Sequence, residues 1–214
     1  MSRLGHAAVL VETARTRLLI DPGVYSDTWR ALENLDTVLV THQHPDHVDV
    51  AGLRGLVGAN PGARFLVEPQ VAPLLAEGHL DADVVATGTI VDLGGVTVEV
   101  VGGTHAAVHA RIPRVGNVGF ILSEAAGTRL FHPGDAYDTT PSGIDILAVP
   151  LAAPWASAGQ TADFVAAVGP AHAFPIHDGA LNDDGRALYL RVLAGLTGPE
   201  TTLHHLDPAA TLQV

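Results

Sequence analysis

The sequence predicts an α+β fold in which two β-sheets pack face to face and helices cover their outer sides. Each half of the chain reads as strands followed by strand–helix units, and candidate metal-binding side chains recur where predicted strands end. Two packed sheets with outer helices let every amphipathic element in this pattern bury its apolar face. The 214 residues suit one sizeable domain, which we expect to span residues 1–214.

The first half contains an opening hairpin followed by strand–helix units. Its most clearly buried strand is predicted at residues 37–40, which are uncharged and rich in β-branched side chains. Helices are predicted at residues 49–57 and 71–77, because Gly follows each apolar pattern as a stop signal. The strands predicted for this half are, in order, 7–11, 17–20, 37–40, 64–67, 83–86 and 96–101.

The second half begins with a long loop and a hairpin. The hairpin is predicted to turn at Ala125-Ala126-Gly127, and helices are predicted at residues 162–168 and 186–196. The last two short segments are expected to close the sheet. The strands predicted for this half are, in order, 118–123, 128–131, 144–149, 171–176, 201–206 and 211–214.

The densest cluster of chemically active side chains directly follows the strand predicted at residues 37–40. It reads His42-Gln43-His44-Pro45-Asp46-His47, and Pro45 places the cluster on a loop. Imidazole and carboxylate are ligands that divalent metals prefer. The alternating His42 and His44 can bind one ion, while Asp46 and His47 point elsewhere and can bind a second. The alternative is a polar surface loop that happens to be rich in His.

This pattern resembles the signature of the metallo-β-lactamase-fold hydrolases. Later pieces follow in that family's order, namely His105, then Asp135 in Phe131-His132-Pro133-Gly134-Asp135, then His177 in Phe174-Pro175-Ile176-His177. The segments Leu4-Gly5-His6-Ala7 and Asp21-Pro22-Gly23 resemble the branch that includes the ascorbate-phosphate lactonase. The resemblance implies a four-layer αββα sandwich, and it identifies the fold and metal site better than the substrate.

By resemblance, seven residues hold two divalent ions, expected to be Zn²⁺ or alternatively Mn²⁺. His42, His44 and His105 would bind the first ion, Asp46, His47 and His177 the second, and Asp135 would bridge them. A bridging hydroxide would then attack a small ester, lactone or phosphodiester. Asp46 and Asp135 are the expected catalytic carboxylates, and a proton-shuttle role for Asp46 stays open. The alternative is a thiol or persulfide oxidoreductase with one iron ion, a chemistry that some relatives of this fold perform.

Residues around the expected ligands are expected to bind the substrate or to support the ligands. His109 is the rival of His105 for the first ion, and we favour His105 because it lies just past a strand end. His109, Arg111, Arg114 and Trp155 are expected to line the substrate mouth. For the two Arg residues the alternative is a solvated loop, and for Trp155 it is edge packing. His6, Asp21 and His132 are expected to support the ligands from neighbouring positions. The alternatives are an ordinary position at the start of a strand for His6 and an ordinary turn for Asp21.

Composition limits the partners. The formal net charge is −12 and all 11 basic residues are Arg without a basic stripe, so a nucleic acid partner is disfavoured. A small anionic molecule is the expected substrate.

The absence of Cys leaves His and carboxylate as metal ligands. No apolar stretch is long enough for a membrane span and no signal-peptide pattern opens the chain, so we expect a cytoplasmic protein without a membrane partner. The sequence does not indicate the oligomeric state.

Overall fold

The first sheet has six strands in sequential order along the chain. A computed structural model describes residues 1–124, 127–207 and 210–213. The strands β3, β4 and β5 of this sheet run parallel. Its strands are β1 (Ser2–Gly5), β2 (Ala8–Glu12), β3 (Arg17–Ile20), β4 (Thr37–Val40), β5 (Arg64–Val67) and β6 (Asp83–Val84). Helices α1 (Val50–Ala59) and α2 (Val71–Glu77) connect strands of this sheet.

The second sheet has seven strands in the order β13-β12-β11-β10-β9-β8-β7. Strands β10, β11 and β12 run parallel, and β9 is antiparallel to both β8 and β10. Its strands are β7 (Ile90–Asp92), β8 (Val96–Gly102), β9 (Val118–Glu124), β10 (Arg129–His132), β11 (Ile146–Pro150), β12 (His172–Ile176) and β13 (Thr202–Leu203). Helix α3 (Ala158–Val168) precedes β12, and helix α4 (Asp183–Leu196) follows it.

Alternation along the strands divides the apolar side chains into three clusters and therefore the molecule into four layers. On β4, Leu39 packs between the two sheets, whereas Val38 and Val40 pack toward α1 and α2. On the far side, Leu147 and Val149 of β11 pack against α3 and α4. Helices thus cover both outer faces of two packed sheets, which is the αββα arrangement expected from the sequence.

Strand direction decides where the loops that carry His and Asp residues meet. Because β8 and β10 are each antiparallel to β9, they run in the same direction, and β12 runs parallel to that pair. The chain leaves the carboxyl ends of β4, β8, β10 and β12 into the segments that contain the predicted metal ligands. The fold therefore brings residues that are far apart in the sequence to one edge of the sandwich.

Several predicted boundaries were wrong. β1 and β7 were missed because neither has a strong alternating apolar pattern, and each is held by pairing with its neighbour. Helix α3 begins four residues earlier than predicted, after a capping box between Ser157 and Gln160, and α4 begins three residues earlier, after the N-cap Asn182.

The predicted chain end also differs. Instead of forming a closing strand of the second sheet, Thr211 makes an isolated bridge to Ser2 of β1 in the first sheet. The predicted strand at residues 201–206 is reduced to the two residues of β13. Residues 125–126 of the predicted hairpin turn and residue 214 of the predicted last strand lie outside the described residues.

Candidate metal centre

Two groups of potential ligand atoms lie side by side at this edge of the sandwich. Within each group every ligand atom lies within 4.8 Å of the others, as expected for atoms that could surround one ion. The first group comprises His42, His44, His105 and Asp135. The second group comprises His6, Asp46, His47 and His177.

The carboxylate of Asp135 lies between the two groups. Its Oδ2 is 3.3 Å from His105 Nε2 in the first group and 3.0 Å from His177 Nε2 in the second. Its Oδ1 is 3.1 Å from His47 Nε2. A carboxylate in this position could contact ions in both groups.

Asp21 orients two residues of the loop that follows β4. It is completely buried, accepts the backbone N–H of Thr41 at 2.8 Å and the Thr41 hydroxyl at 2.7 Å, and accepts His47 Nδ1–H at 2.7 Å. Thr41 Oγ1 in turn accepts His42 Nδ1–H at 3.0 Å. These bonds aim Nε2 of His42 and Nε2 of His47 at the candidate ion positions.

Two backbone carbonyls orient the other imidazoles in the same way. His105 Nδ1–H donates to the carbonyl of Ala106 at 2.7 Å, and His177 Nδ1–H donates to the carbonyl of Ala152 at 2.8 Å. His44 differs, because its Nδ1 lies 3.0 Å from His42 Nε2 and faces the first group. Each imidazole of the proposed ligand set can therefore offer one nitrogen to an ion.

His6 belongs to the second group by distance, but its hydrogen bonds assign it another role. The backbone N–H of Gly179 donates to His6 Nδ1 at 3.0 Å, so the ring proton lies on Nε2. His6 Nε2–H then donates to Asp46 Oδ2 at 3.1 Å. In this tautomer His6 holds the carboxylate of Asp46 in place and has no free lone pair for an ion.

Asp135 is presented by a tight, hydrogen-bonded turn after β10. His132 donates from Nε2 to the carbonyl of Ala7 at 3.0 Å, and its Nδ1 accepts the N–H of Gly134 at 3.3 Å. Gly134 has a φ of 61°, and a Cβ there would lie 2.2 Å from Asn117 Oδ1. Asn117 Oδ1 accepts the N–H of Asp135 at 2.9 Å.

Backbone strain is also concentrated here. Five residues other than Gly have a positive φ among those described, and three of them surround the site. They are His6 at 40°, Asp21 at 48° and His177 at 56°. The bonds described above hold these residues in a conformation that side chains rarely adopt, which is common where side chains must be aimed at a ligand.

Burial lowers the pKa of two imidazoles in the first group. Burial lowers the pKa of His42 well below its usual value, and the nearby His47 lowers it further. Burial also lowers the pKa of His44, with a contribution from His105. Both imidazoles are therefore neutral near pH 7 and keep their lone pairs available.

The carboxylates remain ionised although they are shielded from solvent. Burial opposes ionisation of Asp46, but the His6 hydrogen bond and the nearby His47 hold its pKa well below the usual range. Burial likewise opposes ionisation of Asp135, whose pKa is held far down by His47 and His177. For His47 and His177 burial favours the neutral form, and Asp135 outweighs it so that the pKa of each is raised.

Unpaired buried atoms provide a test of whether the site fits a metal. Four buried side-chain atoms among the described residues have no hydrogen-bond partner, and all four point into this cluster. Buried polar atoms are rarely left unpaired, and metal ligands are a recognised reason for it. The atoms are His47 Nε2, His105 Nε2, His177 Nε2 and Asp135 Oδ1. The donor set of imidazole and carboxylate fits zinc or manganese.

The residues expected at the substrate mouth occupy different positions. His109 is exposed, and its Nδ1 accepts the backbone N–H of Arg111, which is also exposed. Arg114 is exposed as well, but its Nε donates to the carbonyl of His105 at 2.6 Å. Trp155 Nε1–H donates to Asp135 Oδ2 at 3.0 Å, so it contacts the shared carboxylate directly.

Sequence reasoning missed several supporting residues. Thr41, Asn117 and Gly179 form the bonds that aim His42, Asp135 and His6. Thr41 could have been noticed as the residue between the strand and the first His. Asn117 and Gly179 lie 18 and 173 positions from the residues they hold, and no local pattern marks them.

Comparison with known proteins assigns the family. Residues 1–177 match the family described as the Beta-lactamase superfamily domain. The chain belongs to this family, and its architecture is the metallo-β-lactamase fold.

Two related proteins extend this comparison along the sequence. Protein Rv0786c of Mycobacterium tuberculosis is 38% identical over 198 residues, which are 92% of this chain and 92% of that protein. A UPF0173 metal-dependent hydrolase of Nitratidesulfovibrio vulgaris is 33% identical over 140 residues, which are 61% of this chain and 56% of that protein.

Solved structures with the same fold differ in chemistry. The metallo hydrolase Igni18 of Ignicoccus hospitalis has a TM-score of 0.73 at 19% identity, over 99% of this chain and 96% of that chain. CmlA of Streptomyces venezuelae, a diiron β-hydroxylase, also has a TM-score of 0.73, at 17% identity over 100% of this chain and 53% of that chain. At these identities the likeness shows the fold alone.

A helix needs about 20 consecutive, mostly apolar residues to cross a bilayer. Among the described residues, no helix is both long enough and apolar enough to cross a membrane.

Proposed function

We propose that this protein is a hydrolase that uses two divalent ions, one in each ligand group, to cleave a small ester, lactone or phosphodiester. The observation that carries the proposal is the position of the Asp135 carboxylate, within 3.3 Å of imidazole nitrogens from both groups. A related protein at 33% identity is named a metal-dependent hydrolase, which supports the reaction class. Zn²⁺ is the proposed ion and Mn²⁺ the alternative, since both accept imidazole and carboxylate.

The roles of the residues follow from their contacts. His42, His44 and His105 would hold one ion, Asp46, His47 and His177 the other, and Asp135 both. When bound, the ions supply Lewis acidity and lower the pKa of water to about 7, which provides a hydroxide nucleophile near neutral pH. His6 fixes Asp46, and Trp155 fixes the shared carboxylate.

The proposed substrate is small and anionic. Arg111 and Arg114 lie exposed on the loop that contains His105, and a guanidinium can pair with a carboxylate or phosphate. Lactones are included because the Leu4-Gly5-His6-Ala7 segment resembles the ascorbate-phosphate lactonase branch.

The catalytic proposal is tested with metal-free protein that is reloaded with Zn²⁺ or Mn²⁺ and assayed on small esters, lactones and phosphodiesters. We expect Asp135→Ala to lose metal and to reduce turnover by about 100-fold or more, since it removes a ligand from both groups. Asp138→Ala is the matched control, because Asp138 is exposed and lies three residues further on. Unchanged turnover and two retained ions in Asp135→Ala would refute the proposal.

The anionic substrate class is tested with Arg111→Ala and with the Arg111→Ala, Arg114→Ala double variant. Loss of a binding cation should raise KM for anionic esters more than for neutral ones and leave kcat nearly unchanged. The single variant is needed because Arg114 also holds the carbonyl of His105. Equal effects on anionic and neutral esters would exclude this role.

An oxidoreductase with one iron ion is the competing function. An enzyme with one iron ion would need only one complete ligand group. Here Asp46, His47 and His177 form a second group beside the first. The complete second group favours two ions. CmlA shows that this fold also accommodates a diiron hydroxylase, so the identity of the metal and the reaction must be measured together.

A further inference from the structure

We propose that the loop between β8 and β9 forms a specificity cleft that binds an aliphatic arm of the substrate beside the first ligand group. The inference rests on the proposed function and adds a substrate class to it. The substrate would combine an aliphatic arm with a bond that reacts between the two groups.

Hydrogen bonds close the base of the loop and fix its conformation. His105 N–H donates to the carbonyl of Val115 at 3.0 Å, and Arg114 Nε donates to the carbonyl of His105 at 2.6 Å. A second segment also anchors the loop, because Gln70 Oε1 accepts the N–H of Gly116 at 2.8 Å. At the tip, Ile112 N–H donates back to the carbonyl of residue 109 at 2.9 Å. These bonds fix how the loop presents its side chains.

The side chains presented at the tip are aliphatic and do not belong to the core. Val108 is 38% exposed and Ile112 is 52% exposed, and neither joins any of the three core clusters. Two aliphatic side chains that are exposed together on an anchored loop can contact an apolar part of a ligand.

These side chains line a cleft that opens onto the first ligand group. The cleft has a volume of about 60 Å³, and its walls include Val108, Ile112 and Pro113, with His44, His105 and Arg114 on the same surface. Whole drug-sized ligands occupy pockets of roughly 300–1,000 Å³, so a cleft of this size admits only a short arm of a substrate. An arm placed there would lie directly beside the reacting bond.

The cleft next to the second ligand group is polar, which favours one orientation of the substrate. It is lined by His6, Tyr25 and Asp178, together with Arg3 and Arg186. Asp178 makes ion pairs with both Arg residues, so that cleft is charged. The aliphatic arm is therefore favoured on the side of Val108 and Ile112, where Arg114 of the same cleft would pair with the anionic group of the substrate.

The test measures binding of straight-chain alkyl hydroxamates to the zinc-loaded protein by calorimetry. A hydroxamate head group binds the metal, and chains from acetyl to octanoyl would extend from it. We expect affinity to rise about two- to fourfold per methylene until the cleft is full, the upper value corresponding to about 0.8 kcal/mol for a fully buried methylene. Ile112→Ser should flatten this rise and leave acetohydroxamate binding unchanged. Ile90→Ser is the matched control, because Ile90 is 68% exposed on β7.

The possible outcomes separate this inference from the proposed function. Acetohydroxamate that binds with no gain for longer chains would overturn the cleft alone. A gain that survives in both Ile112→Ser and Val108→Ser would also overturn it. An Ile112→Ser change in sedimentation, with no change in hydroxamate affinity, would assign the aliphatic tip to contact with a second copy and overturn the inference. Failure of every hydroxamate to bind would refute the metal centre as well.

Discussion

At the scale of single residues, Asp21 shows how one carboxylate can orient candidate metal ligands without itself belonging to either ligand group. It is completely buried and receives hydrogen bonds from Thr41 and from His47 Nδ1. These bonds fix the start of the loop after β4 and the tautomer of His47. Partners of this kind typically contribute 10–100-fold in metal affinity.

Replacing Asp21 tests this contribution to metal affinity. Asp21→Asn keeps the size of the side chain but removes its charge, so we expect zinc affinity to fall about 10–100-fold. Asp36→Asn is the control, since Asp36 is exposed and its carboxylate accepts only the N–H of Arg17 among the described residues. Competition with a chromophoric chelator measures both variants. Equal affinity in Asp21→Asn and wild type would contradict the role of Asp21.

A second prediction concerns the two rival His residues of the β8–β9 loop. His105 is 3% exposed and faces Asp135, whereas His109 is exposed and accepts a backbone N–H. We therefore expect His105→Ala to remove metal from the first group and His109→Ala to retain it. Metal content after dialysis distinguishes the variants, and the reverse result would place the ligand four residues further on.

At the scale of elements, the loops after β3 and β4 lock together through close backbone contact. A Cβ on Gly23 would lie 1.8 Å from the carbonyl oxygen of Asp46 and 2.6 Å from the nitrogen of His47. Val24 N–H also donates to the carbonyl of Pro45 at 2.9 Å. The positions of Asp46 and His47 thus depend on a segment more than 20 residues earlier in the chain.

This contact predicts the effect of a single methyl group. Gly23→Ala must displace the backbone of the metal loop, and we expect it to lower the free energy of unfolding by about 1–3 kcal/mol and to weaken metal binding. Gly55→Ala is the matched control, because a Cβ there meets nothing within 4 Å and the residue lies in α1. The control should stabilise the protein by about 0.5–1 kcal/mol. Chemical denaturation measures both, and similar behaviour of the two variants would refute the locking contact.

At the scale of the whole molecule, the αββα layering predicted from the chain is confirmed. It was predictable because apolar alternation and strand-end positions are local patterns, such as residues 37–40 followed by His42-Gln43-His44-Pro45-Asp46-His47. The contact of Gly23 with Asp46 and the bond from Asn117 to Asp135 were not predictable, because each depends on how distant segments meet. β1 was missed for the same reason, since pairing with β2 stabilises it more than its own sequence does.

The candidate ligands come from both sheets, so bound ions would join the two halves of the sandwich. His42 to His47 follow β4 in the first sheet, whereas His105, Asp135 and His177 follow strands of the second. We propose that this junction holds two ions rather than one. It concerns the whole molecule because neither sheet supplies all of the ligands.

The most direct test of this claim is the metal content of the purified protein, measured by elemental analysis before and after metal-free protein is reloaded. We predict two ions of zinc or manganese per chain, and loss of metal in Asp135→Ala. A single iron ion per chain, with no second ion taken up when zinc or manganese is supplied, would contradict the dinuclear centre and favour the oxidoreductase.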